Sequence, residues 1–131
     1  MEQEIFKKVK ETLSAALGAE ENDIHLNSSL VRDLGAESID FIDIIFRLEK
    51  NFDIKIPSGE LFPANLLNDE RFVHQGKVTT LGLDELRNKI PYMDVDTFSR
   101  DPQISKMGDF FTVQMVVSYL KDRLAKESKI S

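Results

Sequence analysis

The sequence has no cysteine, no tryptophan and only two histidines. Without cysteine there can be no disulfide, no thiolate nucleophile and no cysteine–zinc site. His25 and His74 stand in no recognisable nucleophile or ligand pattern. There is also no Gly-x-Ser-x-Gly elbow of the kind that exposes a catalytic serine, so a small hydrolase is not expected. Long apolar runs are missing too. No stretch approaches the ~20 apolar residues that span a bilayer. The opening MEQEIFKKVKETL is charged and amphipathic, without the continuous apolar core of a signal peptide. A cytoplasmic protein with no membrane span is expected. Basic residues are outnumbered, 17 against 23 acidic, for a formal charge of −6. The imbalance is local, because residues 1–62 hold 13 acids and 7 bases. Such a surface repels nucleic acid phosphates and attracts basic patches on proteins.

The 131 residues amount to one domain, 1–131, with a single core and no room for a cleft between domains. A helix is expected from about Glu2 to Leu17, since Ile5, Val9, Thr12, Leu13, Ala16 and Leu17 recur at spacings of three and four. Gly18 follows as a stop. A long ordered loop over 19–37 is pinned by Ile24, Leu26, Leu30, Val31 and Leu34. A second helix should run from about Ser38 to Asn51, with Ser38 as its N-cap and Asp40 in its first turn. Its apolar stripe is Phe41, Ile44, Ile45, Leu48 and Phe52, opposite a solvated face of Asp40, Asp43, Arg47 and Lys50. The last helix starts after Thr112 and reaches about Lys126. Between them, residues 63–105 hold three of the four prolines and read mostly as loop. One short helix is expected near Leu83–Ile90, stopped by Pro91, and another around 58–62. No strand is expected. The fold class is all-α, a small bundle of three main helices plus short ones.

The run DLGAESIDFIDIIFRLEKNFDIKIP, residues 33–57, resembles the signature of acyl carrier proteins. That family has an Asp-Leu-Gly-Ala-Asp-Ser-Leu-Asp core, an acidic and apolar helix, then Glu-x-x-Phe and Ile-Pro. The resemblance extends upstream through NSSLVRDLG and the Leu17-Gly18 helix end. It resumes at Phe111-Thr112-Val113-Gln114, similar to the opening of the family's last helix. Glu37 stands where Asp is usual, and Arg47 and Lys50 stand where acidic or neutral residues are commoner. The stretch of about 63–105 has no counterpart in a minimal carrier protein, so the fold is expected as an acyl-carrier-like bundle with an extended loop and helix insertion.

The resemblance implies a carrier rather than an enzyme, with 4'-phosphopantetheine attached covalently to Ser38. On the residue alone, a plain N-cap is the simpler reading of Ser38; the flanking signature turns it towards modification. Exposure at a helix start would let a phosphopantetheinyl transferase reach the hydroxyl, and the helix N–H groups suit the resulting phosphodiester. The thiol that the protein lacks would come with the cofactor, so that acyl intermediates of fatty acid, polyketide or specialised lipid synthesis travel as thioesters. Glu37, Asp40 and Asp43 would form a docking face for acyl-processing enzymes with basic surfaces, flanked by Ile39, Ile42 and Phe46. The plainer reading of the three acids is a solvated helix face with Asp43 and Arg47 as a local pair; that of the three apolar residues is core packing. A monomer is expected, with no metal and no nucleic acid. Residues 94–101, DVDTFSRD, lack the glycine and glutamate of a calcium loop and read as an acidic turn. The alternative function is an unmodified interaction module that kept the bundle and lost the arm.

Overall fold

The computed structural model describes residues 2–63 and 66–130. Helix α1 spans Glu2–Leu17 and buries Ile5, Val9, Thr12 and Leu13 along one stripe. It stops where Gly18 turns to φ +74° and donates its N–H to Ser14 O at 2.9 Å. Helix α2 spans Ser38–Phe52 and ends on Asp53 in the left-handed region. Ile44 and Leu48 are fully buried, with Phe41, Ile45 and Phe52 packed beside them. The Thr12 hydroxyl bonds to Lys8 O and accepts from Asn51 Nδ2 at 2.8 Å, which joins α1 to the far end of α2. Helix α6 spans Val113–Ile130 and buries Val113, Met115, Val116, Val117, Tyr119 and Leu120. Helix α1 packs against both α2 and α6.

The 18–37 loop runs over the start of α6. Val113 N–H donates to Ser28 O and Gln114 N–H to Leu26 O, while Met115 N–H donates to the Thr112 hydroxyl at 3.2 Å. The first-turn donors that a helix leaves unpaired are therefore met by the loop and by the Thr112 cap.

The segment after α2 departs from the expected pattern. Residues 58–62 form a turn rather than a helix, because Gly59 sits at φ +84°, a backbone state that no helix continues through. Strands do occur: β1, Val73–His74, pairs antiparallel with β2, Lys77–Val78. Gln75 and Gly76, both at positive φ, make the two-residue connection that suits a hairpin. Helix α3 spans Thr80–Lys89 and begins three residues earlier than its apolar pattern suggests. The cap is Thr79, whose hydroxyl accepts from Gly82 N–H at 3.1 Å. Two single-turn helices, α4 at Val95–Phe98 and α5 at Ile104–Met107, follow. Asp94 caps α4 by accepting from Thr97 N–H and Oγ1, so this acidic turn serves the backbone.

The 63–105 segment packs against the rest of the fold. Val78, Leu86, Ile90, Met93, Val95 and Phe98 are all buried. Phe98 meets Phe110 edge-on at 5.5 Å. Tyr92 meets Tyr119 of α6 edge-on at 6.0 Å and donates its hydroxyl to Asp122 at 2.6 Å. Burial first, and then the neighbouring carboxylate, pushes the Tyr92 phenol up to about 12, so it remains a neutral donor.

Candidate functional site

The start of α2 is shaped by the short loop before it. Asp33 Oδ2 accepts from Ser29 N–H at 2.7 Å, and that bond holds the Asp33 carboxyl below the ordinary aspartate range. Asp33 and Leu34 N–H groups both turn back to Ser29 O, and Ala36 N–H bonds Leu30 O at 2.8 Å. Gly35 lies between them at φ +75°, which a residue with a Cβ adopts only under strain. Buried Ala36 then anchors the chain one residue before the cap.

The cap is Glu37, not Ser38. Asp40, three residues on, reaches back so that its Oδ2 accepts from Glu37 N–H at 2.8 Å, which is half of a capping box. Ser38 is thereby displaced into the first helical position. Its side chain is exposed, and its hydroxyl makes no hydrogen bond among the described residues. A serine that caps a helix has its oxygen committed to the backbone; this one does not.

Around the helix from Ser38, three large apolar residues face outwards. Ile39 is 71 % exposed, Ile42 75 % and Phe46 66 %, so core packing is not their role. Asp40 and Asp43 are half-exposed beside them, and Glu37 is exposed. Asp43 is engaged by Arg47, whose Nε lies 3.0–3.1 Å from both carboxylate oxygens. On the inner side, Phe41, one turn from Ser38, stacks edge-on with Phe62 at 4.9 Å and with Phe111 at 5.6 Å. This ring cluster under the serine was not read from the sequence. Phe41 carried the only signal, as the core residue at i+3; the other two rings arrive from distant segments.

The chain was compared with known proteins. Residues 7–67 match the family of phosphopantetheine attachment sites. The chain is 37% identical to an acyl carrier protein of Clostridium acetobutylicum over 65 residues, which is 50% of this chain and 84% of that protein. This chain belongs to the acyl carrier protein family. It is also 34% identical to an acyl carrier protein of Thermotoga maritima over 67 residues, 51% of this chain and 83% of the relative. To one of Cyanidioschyzon merolae it is 41% identical over 58 residues, 44% of this chain and 64% of the relative. No solved structure matches. Members of the acyl carrier family are carriers rather than enzymes, and their cofactor is a covalently held 4'-phosphopantetheine. The matched segment contains α2 whole and ends at residue 67, so nearly all of the insertion and the whole of α6 lie outside it. Within that segment the residues fit such a group, since an exposed, uncommitted hydroxyl opens a helix there. No helix among the described residues is long and apolar enough to cross a membrane.

Proposed function

We propose that Ser38 carries the 4'-phosphopantetheine arm of this acyl carrier protein. The observation behind the assignment is the exposed Ser38 hydroxyl, free of internal hydrogen bonds, at the first position of α2. The Gly35 turn and buried Ala36 hold this end of the helix in place. The positive end of the α2 dipole favours an anion there, and the early backbone N–H groups lie ready for phosphodiester oxygens. When bound, the cofactor supplies the thiol on which acyl groups are held as thioesters. In this reading the protein carries acyl intermediates in the cytoplasm for fatty acid synthesis or for specialised lipid or polyketide synthesis.

Glu37, Ile39, Asp40, Ile42, Asp43 and Phe46 form the proposed docking face for the phosphopantetheinyl transferase and for acyl-processing enzymes. Glu37 and Asp40 bring negative charge next to Ser38, where basic partner groups would meet it. The carrier works as a monomer between such encounters. The test is to load the protein with radiolabelled acyl-coenzyme A and a transferase, then treat it with neutral hydroxylamine. Release of the label from the wild type, with no label on Ser38→Ala, is expected. Label that resists hydroxylamine, or that appears on Ser38→Ala, would overturn the reading.

A further inference from the structure

The 63–105 segment leaves a hollow of about 270 Å³ where it meets the end of the family-matched stretch at residue 67. Protein interiors hold few voids larger than a water molecule, so a hollow of this size calls for an occupant. Its floor is apolar. Leu66, Leu86 and Ile90 are buried there, with Pro63 and Phe72 half-buried beside them. Leu86 and Ile90 stand one turn apart at the end of α3. Near the start of the same helix, Gly82 is pressed against the Phe72 backbone, since a Cβ there would lie 2.4 Å from Phe72 O. That close approach fixes α3 against Phe72. Polar groups gather at the rim. Asp69 is held by Arg71 at 2.7 Å, while Glu85 and Lys89 make no ion pair or side-chain hydrogen bond among the described residues. A guest that fits is apolar along its body and polar where it enters.

The hollow is also connected to Ser38. Phe41, one turn along α2, meets Phe62 at 4.9 Å, and Pro63, the next residue, lines the hollow. That path bounds the separation at roughly 20 Å, counting ~5.4 Å for a helical turn and ~3.8 Å between neighbouring Cα atoms. An extended arm matches about four residues of extended chain, roughly 14 Å, and the first carbons of an acyl chain cover the rest. The space directly beneath Ser38 is already filled, because the Phe41, Phe62 and Phe111 rings lie 4.9–5.6 Å from one another. Every methylene left in water is unfavourable, so a tethered chain is driven to the nearest open apolar cover. We propose that this hollow receives the acyl chain carried on Ser38, with its methylenes over Leu66, Phe72, Leu86 and Ile90 and its polar thioester end at the Glu85 and Lys89 rim. The proposal rests on the carrier reading above and names the cargo, an unbranched apolar chain of medium length. An apolar cavity of about 150 Å³ takes one benzene, so a hollow of about 270 Å³ holds roughly ten carbons.

The test loads the full chain at Ser38 from acetyl-, decanoyl- or hexadecanoyl-coenzyme A with a phosphopantetheinyl transferase. Nuclear Overhauser contacts from a carbon-13-labelled decanoyl chain should fall on Leu66, Phe72, Leu86 and Ile90. The decanoyl form should unfold at a urea midpoint at least about 0.5 M above the acetyl form, and the hexadecanoyl form should gain nothing further. Glu85→Trp, which sets an indole at the rim, and Phe72→Ser, which removes part of the wall, should each erase most of that difference. Where a variant fails to fold, the Overhauser contacts of the wild type decide alone. Contacts confined to Ile44, Leu48 and Val116 would place the chain between the long helices and overturn the proposal. No contacts to the protein, or equal midpoints for the acetyl and decanoyl forms, would leave the chain in water and overturn it too. Failure to load at Ser38 removes the carrier reading and this one with it; loading with the chain elsewhere removes only this one.

Discussion

Phe98→Ala tests whether the 63–105 insertion shares the core of the carrier domain or rides on it. The ring is 1 % exposed and meets Phe110 edge-on at 5.5 Å. Removing a buried phenylalanine ring costs about 3–5 kcal/mol through lost transfer energy and the cavity left behind, including about 0.5–1.5 kcal/mol for a favourable ring pair. A domain of this kind has about 5–15 kcal/mol of total stability, so a loss near 4 kcal/mol is severe but survivable. With a urea slope of about 2 kcal/mol per M, the midpoint should fall by about 2 M. The assay follows unfolding by far-UV circular dichroism, dominated by α1, α2 and α6, and by tyrosine fluorescence. The chain's two tyrosines are Tyr92 in the insertion and Tyr119 in α6, in contact with each other. One shared transition, displaced in the variant, is expected for a single cooperative unit. A circular dichroism midpoint that moves by less than about 0.5 M, or a fluorescence transition that separates and comes first, would refute the reasoning.

Three further outcomes follow from local geometry and are measurable by the same unfolding method. Gly82→Ala should destabilise by about 1–3 kcal/mol as an overpacked site, because its Cβ would lie 2.4 Å from Phe72 O and 2.7 Å from Val78 Cγ1. Gly35→Ala should cost about 1–2 kcal/mol for a different reason, namely its positive φ, since nothing lies within 4 Å of its added Cβ; a Gly35→Asn variant should recover part of that loss. Stability should fall in acid. Asp33, Asp69, Asp94 and Asp101 all have carboxyls held below the ordinary value, so their contribution is complete above the unfolded value and is lost as the pH drops through the folded one. The decline should therefore begin near pH 4, and Asp33→Asn, which removes the anion that accepts from Ser29 N–H, should flatten it.

The three long helices were legible because each carries an uninterrupted apolar stripe and a local stop or cap, Gly18 for α1 and Thr112 for α6. The capping of α2 was misread. Serine is a strong N-cap in isolation, but Glu37 with Asp40 at i+3 forms a competing arrangement one residue earlier, and its bond at 2.8 Å is the one that forms. The correction bears on function, since it leaves the Ser38 hydroxyl uncommitted. The exposure of Ile39, Ile42 and Phe46 could not be fixed from the sequence, because their spacing suits a core stripe as well as an outward ridge. The insertion was the least legible part. Its strands have two residues each, too short for a period-two pattern, and α4 and α5 have four each, too short for a helical one. Their positions are set by long-range contacts, such as Val78 N–H to Pro102 O and Ile104 N–H to Gly76 O. The signals available were the Gln-Gly pair at 75–76 and the Asp94 and Thr79 caps.

The central claim is that Ser38 is the attachment point. Purified protein is incubated with coenzyme A and a phosphopantetheinyl transferase, and its intact mass and peptide map are recorded beside Ser38→Ala. The wild type should gain a single phosphopantetheine, mapped to the peptide containing Ser38. The alanine variant should gain none and keep its far-UV spectrum, because Ser38 is not the cap of α2. A mass shift in the folded alanine variant, or a wild type left unmodified by a transferase that modifies a control carrier, would contradict the account.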